Sequence, residues 1–374
     1  MDVSMPIFLR DGLPRLSARI RDEEAISVAF LGGSITEGYG ASDPDATSWR
    51  ALTERYFRDA YPDIRWRFVN AGVGGTDSSF GAHRFARHAL QDGRIDLLFV
   101  EFAVNDAQKR AKSPEGRAEA IRGMEGIVRQ CRRWSPSADI VFLYVADEES
   151  LAEDEPFFVS AHEEVAERYA LPSVSFVHGI RACISPGVWR SFAPDGVHPN
   201  DEGYAVYAGI MREFLDVALK KGAISVATSP LPEPLRADNY EKAALTSPLA
   251  ALLSTGMVWS GRPENTVNWR YPAGHWHGEG EGAEIVFETH GRGAGLLLLC
   301  GPDSGAFAYS VNGGEFLVCD PFDEWCPLFY RPVRVALVDS SVAGPIRITV
   351  RGTGLKDERS TGNELRVLGL LHYE

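Results

Sequence analysis

The sequence predicts an α/β domain built on a doubly wound parallel sheet, followed by a smaller all-β sandwich. Apolar runs of strand length alternate with amphipathic helical segments over about residues 1–222, the pattern of a parallel sheet with helices on both faces. The segment 95–103 is nearly continuously apolar, as strands buried on both faces are. Beyond residue 229 the helical periodicity disappears, and short alternating or β-branched segments separated by glycine indicate antiparallel strands.

The first part of the chain alternates predicted strands and helices. The strands are 26–31, 64–70, 95–103, 139–145 and 173–177. The helices are 11–24, 47–60, 79–91, 114–134, 155–169 and one from Asn200 or Asp201 to Lys221. Gly222 is well placed to end this last helix, because glycine is favoured just beyond a helix C-terminus.

Residues 229–245 contain several prolines and form the predicted linker between a domain at 1–228 and a β-sandwich domain at 246–374. The strand segments predicted in the second domain are 283–289, 295–299, 306–311, 334–338, 346–351 and 365–371. The linker is partly apolar, with Leu231, Leu235 and Leu245, and does not resemble a flexible Gly/Ser tether. We therefore expect the second domain to dock on the first one.

Composition excludes several classes of protein. With 374 residues, 44% of them hydrophobic, the chain can bury a core in each domain. Its formal net charge of −14 disfavours binding to nucleic acid or to anionic membranes, because both reward clustered Lys and Arg. The five cysteines include no CxxC and predict neither a disulfide framework nor a zinc finger. No apolar run approaches the length of a membrane span.

Residues 1–21 lack the apolar core of a signal peptide, so we expect a cytoplasmic protein. A signal removed by processing would leave the same pattern, and secretion therefore stays open. The sequence also leaves a homo-oligomeric state open.

The stretch 28–38 ends an apolar run in Gly32-Gly33-Ser34 and continues with residues that can open a helix. A strand, a tight turn and a helix are the structure that this pattern predicts. A serine on such a turn projects its hydroxyl at the carboxyl edge of a sheet, where open α/β folds bind their ligands. Amides at the helix start would favour developing negative charge. The alternative is a serine that only caps a helix.

Two further predicted strands end in glycine or polar residues, Gly74-Gly75 and Asn105-Asp106, and the same sheet edge should bring them near Ser34. A fourth group lies late in the chain. Of the nine histidines, only His198 has an acid three residues before it, Asp195. On a tight loop this carboxylate can accept the Nδ1 hydrogen and leave Nε2 to take a proton from a serine. The alternative is a helix-entry turn with an exposed histidine.

Four short blocks, in order, resemble those of the SGNH/GDSL hydrolases. They are Gly32-Gly33-Ser34-Ile35-Thr36, Asn70-Ala71-Gly72-Val73-Gly74-Gly75, Ala103-Val104-Asn105-Asp106 and Asp195-Gly196-Val197-His198-Pro199. The resemblance covers about residues 25–220. It implies a flavodoxin-like three-layer α/β/α sandwich and the hydrolysis of esters, often acetyl or other acyl esters.

The resemblance also implies a role for each residue. Ser34 matches the nucleophile, His198 the base and Asp195 its partner. Gly75 and Asn105 match the oxyanion donors, together with the Ser34 amide. Such donors contribute on the order of 3 kcal/mol each. Glycine lets backbone approach closely, and the asparagine amide is a neutral donor. The alternatives are turn geometry for Gly75 and a turn or helix cap for Asn105.

Two positions depart from the family pattern. Gly33 stands where an aspartate usually precedes the nucleophile, and Ala103 stands where a glycine is common. Neither change removes an atom that the mechanism needs. They indicate a subgroup of the family.

The leading interpretation is a serine esterase that removes small acyl groups, foremost acetyl groups, from a carbohydrate. Carbohydrate esterases of this family often carry a jelly-roll-like companion domain, which we expect to influence substrate choice. Tryptophans in the second domain could stack on sugar rings, or they could pack in the sandwich core or at the domain interface: Trp259, Trp269, Trp276 and Trp325. The alternatives are a lipase or thioesterase of longer acyl chains and a catalytically silent sugar-binding protein. The intact Ser34, Asp195 and His198 argue against the silent protein.

Other candidate groups carry weaker signals. His275 and His277 would share one strand face as a metal pair, but no third ligand is evident, so we predict no metal and no cofactor. The segment 162–164 is interpreted as a solvated helix face. Glu101 lies in a buried strand, where it could support the site or serve as an ordinary structural hydrogen-bonding group.

Overall fold

The computed structural model describes residues 7–22, 25–91, 93–221 and 231–374. The chain forms two compact units, Met1–Glu241 and Lys242–Glu374. The predicted domain boundary at residue 228, the first two residues of the predicted linker and Gly222 lie outside the described residues. Each unit is built around an apolar core of its own.

In its described residues, the first unit is organised around a mixed six-stranded sheet in the order β1-β6-β5-β4-β2-β3. The strands are β1 (Ile7–Phe8), β2 (Ala25–Gly32), β3 (Arg65–Gly72), β4 (Leu97–Glu101), β5 (Asp139–Tyr144) and β6 (Ser173–Ser175). Strands β2 to β6 are parallel, which confirms the predicted parallel sheet. Strand β1 pairs antiparallel with β6 and was not predicted, because two residues are too short to show a periodicity.

Helices cover both faces of this sheet. They are α1 (Pro14–Asp22), α2 (Ser34–Glu37), α3 (Trp49–Ala60), α4 (Ser78–Arg84), α5 (Ala103–Lys109), α6 (Pro114–Trp134), α7 (Glu148–Ala152), α8 (Phe157–Arg168), α9 (Phe176–Cys183), α10 (Trp189–Phe192) and α11 (Asp201–Lys220). Helices α1, α3, α9 and α11 share one core with the sheet residues Phe30 and Phe99. Helices α4, α6 and α8 pack against one another on the other face. The predicted three-layer α/β/α fold is thereby confirmed.

Three local predictions were wrong. The strand predicted at 173–177 ends at Ser175, whose side chain accepts the His178 amide and so caps helix α9. The strand predicted at 95–103 is shorter, because Ala103 begins helix α5. The helix predicted at 79–91 divides into α4 and a π-helical turn at Phe85–Leu90. An apolar run beside a short polar cap can be the end of a buried strand or the start of a buried helix. Periodicity alone does not distinguish the two.

The second unit is an all-antiparallel β structure, which confirms the predicted all-β class. Within residues 242–374 its strands are β7 (Ala244–Thr246), β8 (Leu253–Thr255), β9 (Val258–Ser260), β10 (His275–Glu279), β11 (Glu284–Cys300), β12 (Phe307–Val311), β13 (Leu317–Cys319), β14 (Arg331–Gly352) and β15 (Glu364–Tyr373). Strands β11 and β14 pair along nearly their whole length and lie in the middle of the strand order β13-β12-β14-β11-β15-β10-β9. Residues from both ends contribute to a single core, so the sheet folds over on itself.

The two long strands replace four predicted short ones. The segments 283–289 and 295–299 lie in β11, and 334–338 and 346–351 lie in β14. The glycines that suggested breaks are bulge and close-contact positions instead, with register shifts between Gly291 and Gly293 and between Ala294 and Gly295. A Cβ on Gly293 would lie 2.1 Å from the Tyr373 ring, so only glycine fits there.

The described part of the predicted linker that precedes residue 242 lies on helix α6. The Glu125 carboxylate accepts hydrogen bonds from the amides of Leu235 and Arg236 at 2.6 and 2.9 Å. The Gln130 side chain donates to the Tyr240 carbonyl at 2.9 Å. Residues 235–241 therefore contribute to the packing of the first unit.

Candidate active site

Ser34 is the first residue of the four-residue helix α2, directly after strand β2. Helix α2 stops at Gly38, whose φ of 108° is a left-handed conformation that favours glycine. The side chain of Ser34 is half-buried. Because Ser34 opens the helix, its amide has no intrahelical acceptor and is free to serve a bound group.

Asp195 and His198 lie on the loop between helices α10 and α11. Gly196 within this loop has a φ of 84°, and its carbonyl accepts hydrogen bonds from the Trp189 indole and the Glu148 amide. Asn200 caps helix α11 by accepting the Gly203 amide at 3.0 Å. The loop is therefore anchored on both sides of His198.

A chain of hydrogen bonds joins the three predicted catalytic residues. The Ser34 Oγ lies 2.8 Å from His198 Nε2, and His198 Nδ1 lies 2.6 Å from Asp195 Oδ2. The other carboxylate oxygen of Asp195 accepts the amides of Val197 and His198 at 2.9 and 2.7 Å. Burial raises the pKa of Asp195, but the hydrogen bonds from the His198 ring and the two amides outweigh it and lower that pKa below the ordinary value.

The loop after helix α2 packs against the histidine. The ring of Tyr39 meets the His198 ring edge-on with 4.5 Å between centroids. A Cβ on Gly40 would lie 2.5 Å from the Pro199 carbonyl oxygen. The Tyr204 hydroxyl donates to the Tyr39 carbonyl at 2.6 Å. These contacts limit the orientations available to the imidazole.

Asn105 lies in helix α5 and packs against Gly33, the residue that precedes Ser34. A Cβ on Gly33 would lie 2.0 Å from Asn105 Oδ1, so the missing Cβ makes room for this amide. The side chain of Asn105 is buried, and no hydrogen-bond partner of its amide occurs among the described residues. The departure at Gly33 from the family pattern thus has a steric reason.

Gly75 lies on the exposed turn after strand β3, with a φ of 67° that favours glycine. The preceding amide, that of Gly74, donates to the Glu37 carboxylate at 2.8 Å. Helix α2, which begins at Ser34, is thereby linked to the turn that carries Gly75. Glu37 was not singled out from the sequence, although it lies in the stretch 28–38.

Glu101 ends strand β4 and contacts the turn formed by residues 33–36, which contains Ser34. Its Oε2 accepts the Gly33 amide at 3.2 Å and the Thr36 hydroxyl at 2.9 Å. Burial raises the pKa of Glu101 to about 7, and the hydrogen bonds from Thr36 and Gly33 offset only part of that rise. The contact with Thr36 was missed at the sequence level, because strand periodicity does not tell which loop a buried side chain meets.

Arg84 supports the same edge from helix α4. Its guanidinium is fully buried and donates to the carbonyls of Ala71 and Gly32 at 2.5 and 2.8 Å. It therefore satisfies the last carbonyl of strand β2 and the next-to-last carbonyl of strand β3, close to the turns that carry Ser34 and Gly75.

The weaker candidates have other environments. His162 is fully buried and its Nε2 lies 2.8 Å from Asp106 Oδ2, so the interpretation of 162–164 as a solvated face was wrong. His275 is buried with Nδ1 at 2.8 Å from the Ala273 carbonyl, and His277 pairs with Glu364. No group of three or more potential metal ligands occurs among the described residues.

The four tryptophans of the second unit divide by exposure. Trp269 is buried, and Trp276 is partly buried with its indole donating to the Pro248 carbonyl at 3.0 Å. Trp259 and Trp325 are 47% and 49% exposed. Only the last two present a large aromatic surface to solvent.

Comparison with known proteins identifies the class of enzyme. Residues 30–206 match the model of the GDSL-like lipase/acylhydrolase family. The predicted family resemblance and the predicted enzyme class, a carboxylic ester hydrolase, are confirmed. A search of curated proteins by sequence gave no match.

Two solved structures are similar to this chain over both units. Both are of a two-domain esterase (CEX) active on acetylated mannans, one of them co-crystallised with mannopentaose. The complex with mannopentaose has a TM-score of 0.79 at 22% identity and covers 99% of each chain. The other has a TM-score of 0.81 at 22% identity and covers 98% of this chain and 99% of that one. At this identity the similarity establishes the fold.

In the described part of the chain, no helix is long and apolar enough for a membrane span.

Proposed function

We propose that this protein is a serine esterase that removes small acyl groups, foremost acetyl groups, from a carbohydrate, with Ser34, His198 and Asp195 as its catalytic triad. The observation that carries the proposal is the continuous hydrogen-bond chain from Ser34 Oγ through the His198 ring to the Asp195 carboxylate. A serine hydroxyl is a poor nucleophile until a positioned base accepts its proton, and this chain supplies that base.

The reaction proceeds in two halves. Ser34 Oγ attacks the ester carbonyl carbon while His198 Nε2 accepts the hydroxyl proton, and Asp195 stabilises the imidazolium that forms. The sugar hydroxyl then leaves with that proton, and the acyl group stays on Ser34. A water molecule attacks the acyl-enzyme with His198 again acting as base, which releases the acid and restores the serine.

The tetrahedral intermediates carry a negative charge on the former carbonyl oxygen. We assign its stabilisation to the amides of Ser34 and Gly75 and to the side chain of Asn105. The Ser34 amide opens a helix, and the Asn105 amide has no other partner among the described residues, so both can bind an oxyanion without breaking an existing bond. Each such donor contributes on the order of 3 kcal/mol to transition-state stabilisation.

The carbohydrate part of the proposal has three supports. The fold of both units resembles an esterase that is active on acetylated mannans. In the second unit, the exposed indoles of Trp259 and Trp325 offer the flat apolar faces on which sugar rings stack. The net charge of −14 also suits a neutral substrate better than an acidic one.

The experiment is a release assay with acetylated mannan and xylan oligosaccharides, in parallel with p-nitrophenyl acetate and octanoate. The proposal expects acetate release from an oligosaccharide and faster hydrolysis of the acetate than of the octanoate. The Ser34→Ala variant is the matched control, and it should release nothing from any of them. Preference for the octanoate would favour a lipase or thioesterase. No turnover together with no labelling of Ser34 by a fluorophosphonate would leave a silent binding protein.

A further inference from the structure

The Glu101 carboxylate accepts hydrogen bonds from residues on both sides of Ser34 in the turn formed by residues 33–36. Glu101 is the last residue of strand β4 and lies in register with Gly32 of strand β2. One carboxylate oxygen, Oε2, accepts the amide of Gly33, just before the serine, and the hydroxyl of Thr36, two residues after it. A Cβ on Gly32 would lie 2.8 Å from this oxygen, so the carboxylate also packs directly on the turn.

A carboxylate at the position of Glu101 destabilises the folded state, which is unexpected for a group with a purely structural role. Its side chain is 1% exposed, and Oε1 is buried with no hydrogen-bond partner among the described residues. No Lys, Arg or His of the described chain is among the groups that shift the pKa of Glu101. A buried carboxylate without a cation destabilises the folded state unless it is neutralised. A glutamine would offer the same acceptor without that cost.

We propose that Glu101 is a positioning residue of the esterase reaction, whose ionised carboxylate holds the turn from Gly33 to Thr36 so that Ser34 Oγ stays aligned with His198 Nε2. This inference rests on the proposed function. A charged acceptor forms shorter and stronger hydrogen bonds than a neutral one. A nucleophile that is slightly displaced reacts much more slowly. Stronger hydrogen bonds to this turn therefore raise kcat.

The ionisation of Glu101 adds a pH dependence to the site. The ionisable groups that interact with it are Asp106 from helix α5 and the tyrosines 204 and 207 from helix α11. The Asp106 carboxylate raises the pKa of Glu101 further, and burial keeps both tyrosines neutral by raising their pKa values. The pKa of Glu101 is about 7, so its carboxylate becomes charged as the pH rises through neutrality.

The test compares Glu101→Gln with Asp139→Asn. Asp139 is the control because it is also buried, begins strand β5 at the amino-terminal end of the parallel strands, and accepts one backbone amide, that of Leu16, at 2.8 Å. Unlike Glu101, it also pairs with a cation, Arg15, at 3.4 Å. Burial raises its pKa to about 6, as it raises that of Glu101. For both carboxyls the folded state favours the protonated form, so the native protein loses stability as the pH rises through these values. At about pH 8 both variants should therefore melt no lower than the parent protein.

Of these two variants, only Glu101→Gln should lower activity. We expect kcat on p-nitrophenyl acetate to fall about tenfold at about pH 8, with KM unchanged within about twofold. The loss should shrink as the pH is lowered, because the native Glu101 then becomes protonated and resembles glutamine. Asp139→Asn should keep native kcat. Thr36→Val, which removes one of the two donors and keeps the side-chain shape, should lower kcat by about threefold and add little to Glu101→Gln.

A kcat of Glu101→Gln equal to that of the parent at about pH 8 would overturn the inference, as would an equal loss in Asp139→Asn. A pH-independent loss that follows a fall in melting temperature would also overturn it, since it would indicate a structural role. The second-order rate of fluorophosphonate labelling at Ser34 separates this inference from the proposed function. Failure of the parent protein to label counts against the esterase itself. Equal labelling of parent and Glu101→Gln counts against Glu101 alone.

Discussion

The hydroxyl of Ser34 and the imidazole of His198 lie 2.8 Å apart although 164 positions separate them in the chain. Ser34 is placed by the end of strand β2, whereas His198 is placed by a loop that enters helix α11. The Trp189 indole and the Glu148 amide hold that loop through the Gly196 carbonyl. The alignment of the two groups is therefore a property of the assembled sheet edge.

Replacing Ser34 by alanine should abolish ester hydrolysis without unfolding the protein. The nucleophile is lost, and such losses cost several orders of magnitude in kcat. Circular dichroism and p-nitrophenyl acetate turnover test this, with Ser185→Ala, on an exposed segment, as the control serine. More than a few per cent of native activity in the pure Ser34 variant would refute the assignment.

His198→Ala should be nearly as damaging as Ser34→Ala, whereas Asp195→Ala should cost less. The histidine moves the proton, while the acid orients it and stabilises the imidazolium. Asp195 is 52% exposed, so water can replace part of its interaction with His198. The measurement is kcat for the two variants on one substrate, and equal losses would contradict these separate roles.

A fall of activity on acidification should not come from protonation of Asp195. The pKa of Asp195 lies below its ordinary value, so this carboxylate stays charged while the pH falls through the acid limb of the profile. In Asp195→Ala the imidazolium loses its anionic partner, so the acid limb should move to lower pH. A profile of kcat/KM against pH for both proteins provides the measurement. An unchanged acid limb would argue against the His198–Asp195 coupling.

Gly33→Asp, which restores the residue usual in the family, should lower activity. A Cβ at this position would lie 2.0 Å from Asn105 Oδ1, so the new side chain must displace the proposed oxyanion donor. The φ of Gly33 is −86°, which other residues adopt, so the effect is steric and not backbone strain. We expect a loss of about 100-fold in kcat, the order found when one oxyanion donor is removed. Gly209→Ala is the control, since nothing lies within 4 Å of its added Cβ.

Exhaustive chelation should leave activity unchanged. The proposed triad and amide donors supply both the nucleophile and the electrophilic stabilisation that a metal would otherwise provide. The measurement is turnover before and after treatment with a strong chelator. Loss of activity that zinc alone restores would direct attention to His275 and His277.

Removal of the second unit should weaken action on an oligosaccharide ester far more than on p-nitrophenyl acetate. The small ester needs only the triad and the oxyanion donors, whereas a larger substrate uses remote contacts for positioning. The fragment should end at residue 241, because Glu125 and Gln130 bind residues 235–240 to the first unit. A fragment ending at residue 228 should therefore melt at a lower temperature. Equal loss on both substrates, or none on either, would show that the second unit does not influence substrate choice.

The alternation of strands and helices could be predicted from the sequence because it depends on local periodicity. Buried strands such as β2 and β4 are continuous apolar runs, and helices such as α3 and α6 carry apolar residues at helical spacing. The four motif blocks could be found for the same reason, since each is a short run of neighbouring residues. Their joint position at the carboxyl edge follows from the rule for parallel sheets.

The contacts between those blocks depend on three-dimensional packing. Sequence periodicity places Glu101 in a buried strand, but only the pairing of β4 with β2 puts its carboxylate beneath Gly33 and Thr36. Gly33 looks like a missing aspartate until the Asn105 side chain is seen in the space that a Cβ would fill. Glycines 291 to 295 look like breaks between strands, yet the β-sheet partners on either side carry β11 through them. Local patterns record which residues are buried, whereas the partner of each buried group is decided by chain segments far away in sequence.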